Sequence, residues 1–148
     1  MNQYNDDERW MRVALDEARQ ALEADEIPIG AVIVAGGRVI GRGHNLTEAL
    51  SDVTAHAEMQ AITAAASTLG GKYLTDATLY VTIEPCPMCA GAIGWSQLRR
   101  VVYGAPDAKR GYTGIMSRSP FHPKCTVTSG VLADECASLM RAFFAARR

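Results

Sequence analysis

Short runs of β-branched and aromatic residues alternate with stretches of helical period along this chain, and that alternation constrains its fold most. Ala31-Val32-Ile33-Val34 is a continuous apolar run, and Gly36-Gly37 turns it back into Val39-Ile40 as a hairpin. Ala77-Thr78-Leu79-Tyr80-Val81-Thr82-Ile83, Val101-Val102-Tyr103-Gly104 and Thr126-Val127-Thr128 supply three more strands by their composition. A first helix is expected over residues 7–24, capped by Asn5 or Asp6, because Trp10, Met11, Ala14, Ala18, Ala21 and Leu22 recur as one apolar stripe. A second, alanine-rich helix spans residues 55–69 and stops at Gly70-Gly71. A third starts at Pro85-Cys86-Pro87 and runs to Trp95, and a last one covers residues 133–147. Residues 105–124 read as a loop rich in Gly, Pro and Ser. The order αββαβαβα predicts an α/β protein of three layers, α/β/α, around a five-stranded mixed sheet.

The chain has 148 residues, enough for one domain with one core, and no linker or internal repeat divides it. Its hydrophobic content of 48% and charged content of 21% are those of a soluble globular protein, and no apolar run is long enough to span a membrane. Met1-Asn2-Gln3-Tyr4-Asn5-Asp6-Asp7-Glu8 is polar and acidic, unlike a secretory signal, so the expected compartment is the cytoplasm. There, four cysteines point to metal binding or redox chemistry rather than to disulfides. Net charge is −1, which excludes an indiscriminate polyanion binder, but residues 1–74 carry −5 and residues 75–148 carry +4. Arg99, Arg100, Lys109, Arg110, Arg118, Lys124, Arg141, Arg147 and Arg148 make up that second half's basic group. A solvated surface is the plainer explanation; a phosphate-contacting face, with Lys109, Arg110 and Arg147 as its candidates, is the sharper one.

Two motifs carry chemistry, and each opens a helix. Cys86 and Cys89, three apart, face the same way and can hold one ion, with His56 as a third ligand. Helix N-termini favour negative charge, which suits thiolates there. Two sulfurs and one imidazole leave a tetrahedral zinc with one open position, the mark of a catalytic site in which water is activated near neutral pH. Glu58 would then accept the water's proton, pass it to a ring nitrogen and protonate the departing amine. Its spacing from His56 is an objection, since residues two apart point to different sides of a helix. Besides the reading of His56 as a packed core residue near an alanine-rich helix, two rivals stand beside this. Cys86-Pro87-Met88-Cys89 alone also fits a redox pair, and Cys86, Cys89, His122 and Cys125 together would close a structural zinc site. Neither rival uses His56-Ala57-Glu58.

The H-x-E…P-C-x-x-C pattern is the signature of zinc-dependent nucleobase deaminases. Thr54-Ala55-His56-Ala57-Glu58, the stretch from Leu79 to Ala92, Arg100-Val101-Val102-Tyr103-Gly104-Ala105 and the stretch from Gly130 to Cys136 closely resemble the bacterial tRNA adenosine deaminases of the cytidine and deoxycytidylate deaminase superfamily. That resemblance covers nearly the whole chain. It implies a cytidine-deaminase-like fold, a homodimer, one zinc per chain on His56, Cys86 and Cys89, and Glu58 as proton shuttle. It also implies conversion of adenosine to inosine at the wobble position of an arginine tRNA, bound through its anticodon stem-loop. Asn45 resembles the family's nucleoside-binding asparagine and Asp107 its sugar-contacting aspartate; Ala57 and Phe144 join them as implied substrate contacts. Asn45 and Asp107 also fit as plain turn residues. Phe144 falls at the edge of the stripe formed by Cys136, Leu139, Met140 and Phe143, where it either completes packing or stacks on an RNA base. The stretch from Ile115 to Lys124 is a few residues shorter than the family pattern, in a region that borders the RNA there. Proline after the first cysteine resembles guanine deaminases of the same fold, so a free base, guanine or cytosine, is the alternative substrate.

Overall fold

A computed structural model of the protein describes residues 3–147. In chain order it has α1 (Gln3–Glu23), β1 (Gly30–Ala35), β2 (Arg38–His44), α2 (Ala57–Leu69), β3 (Thr78–Ile83), α3 (Pro87–Ser96), β4 (Arg100–Ala105), α4 (Tyr112–Ile115), β5 (Thr126–Thr128) and α5 (Ala133–Ala145). The sheet order is β2-β1-β3-β4-β5. β1 pairs antiparallel with both β2 and β3, whereas β3, β4 and β5 run parallel. The expected five-stranded mixed sheet is therefore present.

Side chains alternate across each strand, so the central strands feed two separate cores. Ala31, Ile33, Leu79, Val81 and Val101 pack with Ala57, Ala61 and Ala65 of α2 and with Ala90 and Ile93 of α3. Val32, Val34, Tyr80 and Val102 pack with Met11, Ala14 and Leu15 of α1 and with Cys136 of α5. Strands buried on both faces read as unbroken apolar runs, which is why β1, β3 and β4 are visible in the sequence. The three layers follow directly: α2 and α3 on one face, α1 and α5 on the other.

Several boundaries differ from expectation. α1 begins at Gln3, so Asn5 and Asp6 lie in its first turn and do not cap it. Asp7, just past that turn, is buried and takes two hydrogen bonds from Arg100, at 2.7 and 2.8 Å, and one from the Tyr80 hydroxyl at 3.0 Å. Arg100 thus pins a helix to the sheet and does not belong to a phosphate-binding face. Arg148 lies outside the described residues. β2 extends to His44, four strand residues beyond its legible Val39-Ile40, because Gly41 and Gly43 hide it. Those glycines lie directly under α2, where a Cβ at Gly43 would come within 2.7 Å of the Ala57 carbonyl oxygen. α2 can sit that low only over glycine. Residues 105–124 are not loop throughout: Tyr112–Ile115 forms a single helical turn, too short to show a period.

One edge of the sheet collects the functional loops. Gly30 pairs with His44, Ala31 with Val81, and Ile83 with Ala105. The ends of β2, β3 and β4 therefore emerge side by side, leading into Asn45, Glu84 and the residues before Asp107. In open α/β sheets, ligands bind at the carboxyl ends of the strands.

Candidate active site

His56 precedes α2 in extended backbone, with φ −75° and ψ 159°, and Cys86 precedes α3 in the same way, with φ −73° and ψ 168°. Neither side chain caps its helix, so both turn toward each other. α2 thus starts two residues later than the sequence suggests, and the spacing objection lapses. His56 stands outside the helix while Glu58 lies inside its first turn. His56 Nδ1 is 3.6 Å from Cys86 Sγ and 3.5 Å from Cys89 Sγ. All three ligand atoms lie within 4.8 Å of one another, and among the described residues no other His/Cys/Asp/Glu group of three or more is placed to hold a metal. A tetrahedron with metal–sulfur bonds of about 2.3 Å and a metal–nitrogen bond of about 2.0 Å has a nitrogen–sulfur edge of roughly 3.5 Å. The donors fit a zinc ion in both chemistry and spacing.

The charges are arranged to match. A hydrogen bond from Cys89 draws the Cys86 thiol down to about 4, against the cost of burial and with help from His56. The same contact, with burial, pushes the Cys89 thiol up, and bonding to Cys86 holds His56 up. Glu58 is only 4% exposed, and burial raises its carboxyl to about 7. A carboxyl held there exists in both forms at neutral pH, as a proton shuttle requires.

The structural-zinc alternative is not assembled. His122 Nδ1 accepts from the Lys124 amide at 3.0 Å, Cys125 Sγ donates to the Thr126 carbonyl at 3.6 Å, and neither joins the Cys86–Cys89 group. A redox pair would leave His56, in contact with both sulfurs, without a purpose.

The implied substrate contacts are placed as follows. Asn45 is buried, its Oδ1 accepts from the Thr47 amide at 3.0 Å, and among the described residues its amide nitrogen has no protein partner. Ala57 is buried in the core, so what it can offer a ligand is its backbone N–H at the open end of α2. Asp107 closes a turn, its Oδ1 accepting from the Lys109 and Arg110 amides at 3.0 Å each. Phe144 is 45% exposed and meets the buried Phe143 edge-on. Arg147 stacks over Phe143 and bonds Asp25, so its charge is engaged on the protein.

Two buried carboxylates that hold the loops around the site went unnoticed in the sequence. Glu26 accepts from the Glu48 and Ala49 amides, at 2.9 and 2.8 Å, and steadies the loop after Asn45. Glu84 holds the segment after Asp107. A glutamate beside Ile-Pro, or one before Pro-Cys, reads as a surface loop residue. Only its position two residues before Cys86 could have drawn attention to Glu84.

Comparison with known proteins agrees with this geometry. Residues 4–105 match the model of the cytidine and deoxycytidylate deaminase zinc-binding region. The tRNA-specific adenosine deaminase of Bacillus subtilis is 47% identical over 142 residues, covering 93% of this chain and 88% of that protein. The chloroplastic tRNA(adenine(34)) deaminase of Arabidopsis thaliana is 45% identical over 95% of this chain, which spans only 12% of that longer protein. A structure from a study of A-to-I editing by tRNA:A34 deaminases superimposes with a TM-score of 0.83 at 47% identity, over 88% of this chain and 98% of that one. A guanine deaminase from Nitrosomonas europaea shares the fold at a TM-score of 0.80 and 28% identity, over 93% and 84% of the two chains. The chain therefore belongs to the zinc-binding cytidine and deoxycytidylate deaminase family, in the group of the tRNA-specific adenosine deaminases.

Proposed function

We propose that this protein hydrolyses the exocyclic amine of adenosine at the wobble position of tRNA, producing inosine and ammonia. The observation that carries the chemistry is the buried Glu58 carboxyl beside the His56–Cys86–Cys89 cluster. The tRNA substrate is supported by identity to tRNA-specific adenosine deaminases along nearly their whole length. His56, Cys86 and Cys89 would hold one zinc ion, which supplies Lewis-acid activation of water at neutral pH. Water's oxygen adds to the ring carbon that bears the amine. Glu58 takes the proton released and hands it to the adjacent ring nitrogen. It then takes the proton of the added hydroxyl and delivers it to the amine; the C–N bond breaks, a carbonyl forms at that carbon, and ammonia departs.

The amide nitrogen of Asn45 and the backbone N–H of Ala57 are suited to hold the nucleoside, Asp107 its sugar, and Phe144 a neighbouring base. Residues 1–148 act as one deaminase domain in the cytoplasm. No helix among the described residues is long and apolar enough to cross a membrane. We take the assembly to be a homodimer. Trp95 is 84% exposed and shares one side of α3 with the exposed Met88, seven residues earlier, an apolar pair suited to a second copy. Sedimentation equilibrium measures that state directly. The reaction is tested by incubating the protein in parallel with total bacterial tRNA, adenosine, guanine and cytosine, scoring inosine and ammonia. Inosine in tRNA is expected. Turnover of guanine or cytosine with inert tRNA would replace the substrate with a free base while leaving the mechanism in place.

A further inference from the structure

Glu84 lies at the end of β3, two residues before Cys86, and is 5% exposed. Its Oε1 accepts from the Asp107 amide at 3.1 Å; its Oε2 accepts from the Thr113 amide at 3.0 Å and the Thr113 hydroxyl at 2.8 Å. The Tyr112 amide donates to the Pro85 carbonyl at 2.9 Å, tying the same segment to the turn that carries Cys86. Gly111 presses on the carboxylate so closely that a Cβ there would overlap it. Between these anchors Asp107 closes the turn on itself, through the Lys109, Arg110 and Gly111 amides. The turn is therefore anchored at both ends on a buried carboxylate.

What this mount presents is positive charge. Lys109 and Arg110 are both exposed. Among the described residues neither has a carboxylate within salt-bridge distance, whereas Arg12, Arg19, Arg42, Arg100 and Arg147 each do. A buried carboxylate is costly unless its oxygens are hydrogen-bonded, and this one is bonded wholly to the turn. Unpaired cations on a turn tied to Glu84 and Pro85, next to Cys86, suit a phosphate held near the reacting base.

We propose that Glu84 is a positioning residue that fixes the turn over residues 107–113 as a phosphodiester seat, so that the enzyme selects a base within a nucleic-acid chain over a free base. This rests on the tRNA reading above. The test compares wild type with Glu84→Gln, in which an amide N–H₂ faces a backbone donor. Trypsin should cut after Lys109 or Arg110 about tenfold faster in the variant, matching the loss of a hydrogen bond to a charged group. The Michaelis constant for a tRNA anticodon hairpin should rise about tenfold while kcat changes less than about threefold and zinc stays at one per chain. Thr113→Val, which removes one contact from an exposed residue, should shift both readouts in the same direction by less. It decides the matter if Glu84→Gln does not fold. Trypsin resistance equal to wild type would remove the mount, and a loosened turn with an unchanged Michaelis constant would remove the seat. A fall in kcat alone would place Glu84 in the chemistry instead. Wild-type protein inert toward tRNA would overturn the proposed substrate, and the trypsin comparison would then still report on the mount.

Discussion

Glu58 and His56 illustrate how a spacing rule depends on where a helix begins. On a continuous helix their side chains would diverge, but His56 sits in extended backbone ahead of α2, and only Glu58 is helical. The glutamate is thus free to act on whatever the histidine helps hold. Glu58→Gln should retain about one zinc per chain and lose at least ~10²-fold in turnover, the lower end for removing a general acid–base group. Metal analysis and deamination assays on one preparation check this; near-normal turnover would exclude Glu58 from proton transfer. In the same metal analysis His56→Ala should lose zinc and Cys125→Ser keep it. The group able to hold a metal was legible in the sequence because chemistry dictates its residue types and helix starts dictate their spacing. Glu84 and Glu26 were not legible. Their importance comes from burial against loops far along the chain, and nothing local signals that a glutamate near proline is inside.

Elements show the same division. β1, β3 and β4 declare themselves by apolar content, but β2 is concealed by the glycines that let α2 rest on it. The four-residue α4 is shorter than any period could reveal. α5 ends at Ala145, two residues short of its expected bound, but its stripe was legible: Cys136 and Phe143 are buried, Leu139 and Met140 partly so, and Phe144 at the edge is exposed. Phe143→Ala should therefore destabilise by about 3 kcal/mol, through the cavity it leaves. Phe144→Ala should lower stability by no more than about 1 kcal/mol, the worth of its edge-on contact with Phe143. If Phe144 stacks on RNA, its loss should raise the Michaelis constant for tRNA by the equivalent of ~1–3 kcal/mol. Thermal melts and tRNA kinetics on the two variants separate these effects. Normal tRNA kinetics in Phe144→Ala would leave that ring without a substrate role.

At the scale of the whole molecule, a net charge of −1 conceals a positive second half, and the structure thins that half further. Arg100 and Arg147 are paired within the protein, whereas Lys109 and Arg110, on the turn bonded to Glu84, have no such pairing among the described residues. Activity on tRNA should still fall as salt is added, because phosphate contacts release counterions, but with the shallow slope of a few contacts. A rate series across ionic strength measures it, and a salt-independent rate would mean that phosphates are not gripped. The antiparallel hairpin has a separate consequence for anyone building on this protein. β2, β3 and β4 all end at the catalytic edge, so the Gly36-Gly37 turn joining β1 to β2 lies at the opposite one. Both glycines are exposed, with nothing within 4 Å of where a Cβ would stand. A tether, label or inserted domain spliced there would point away from the incoming nucleic acid.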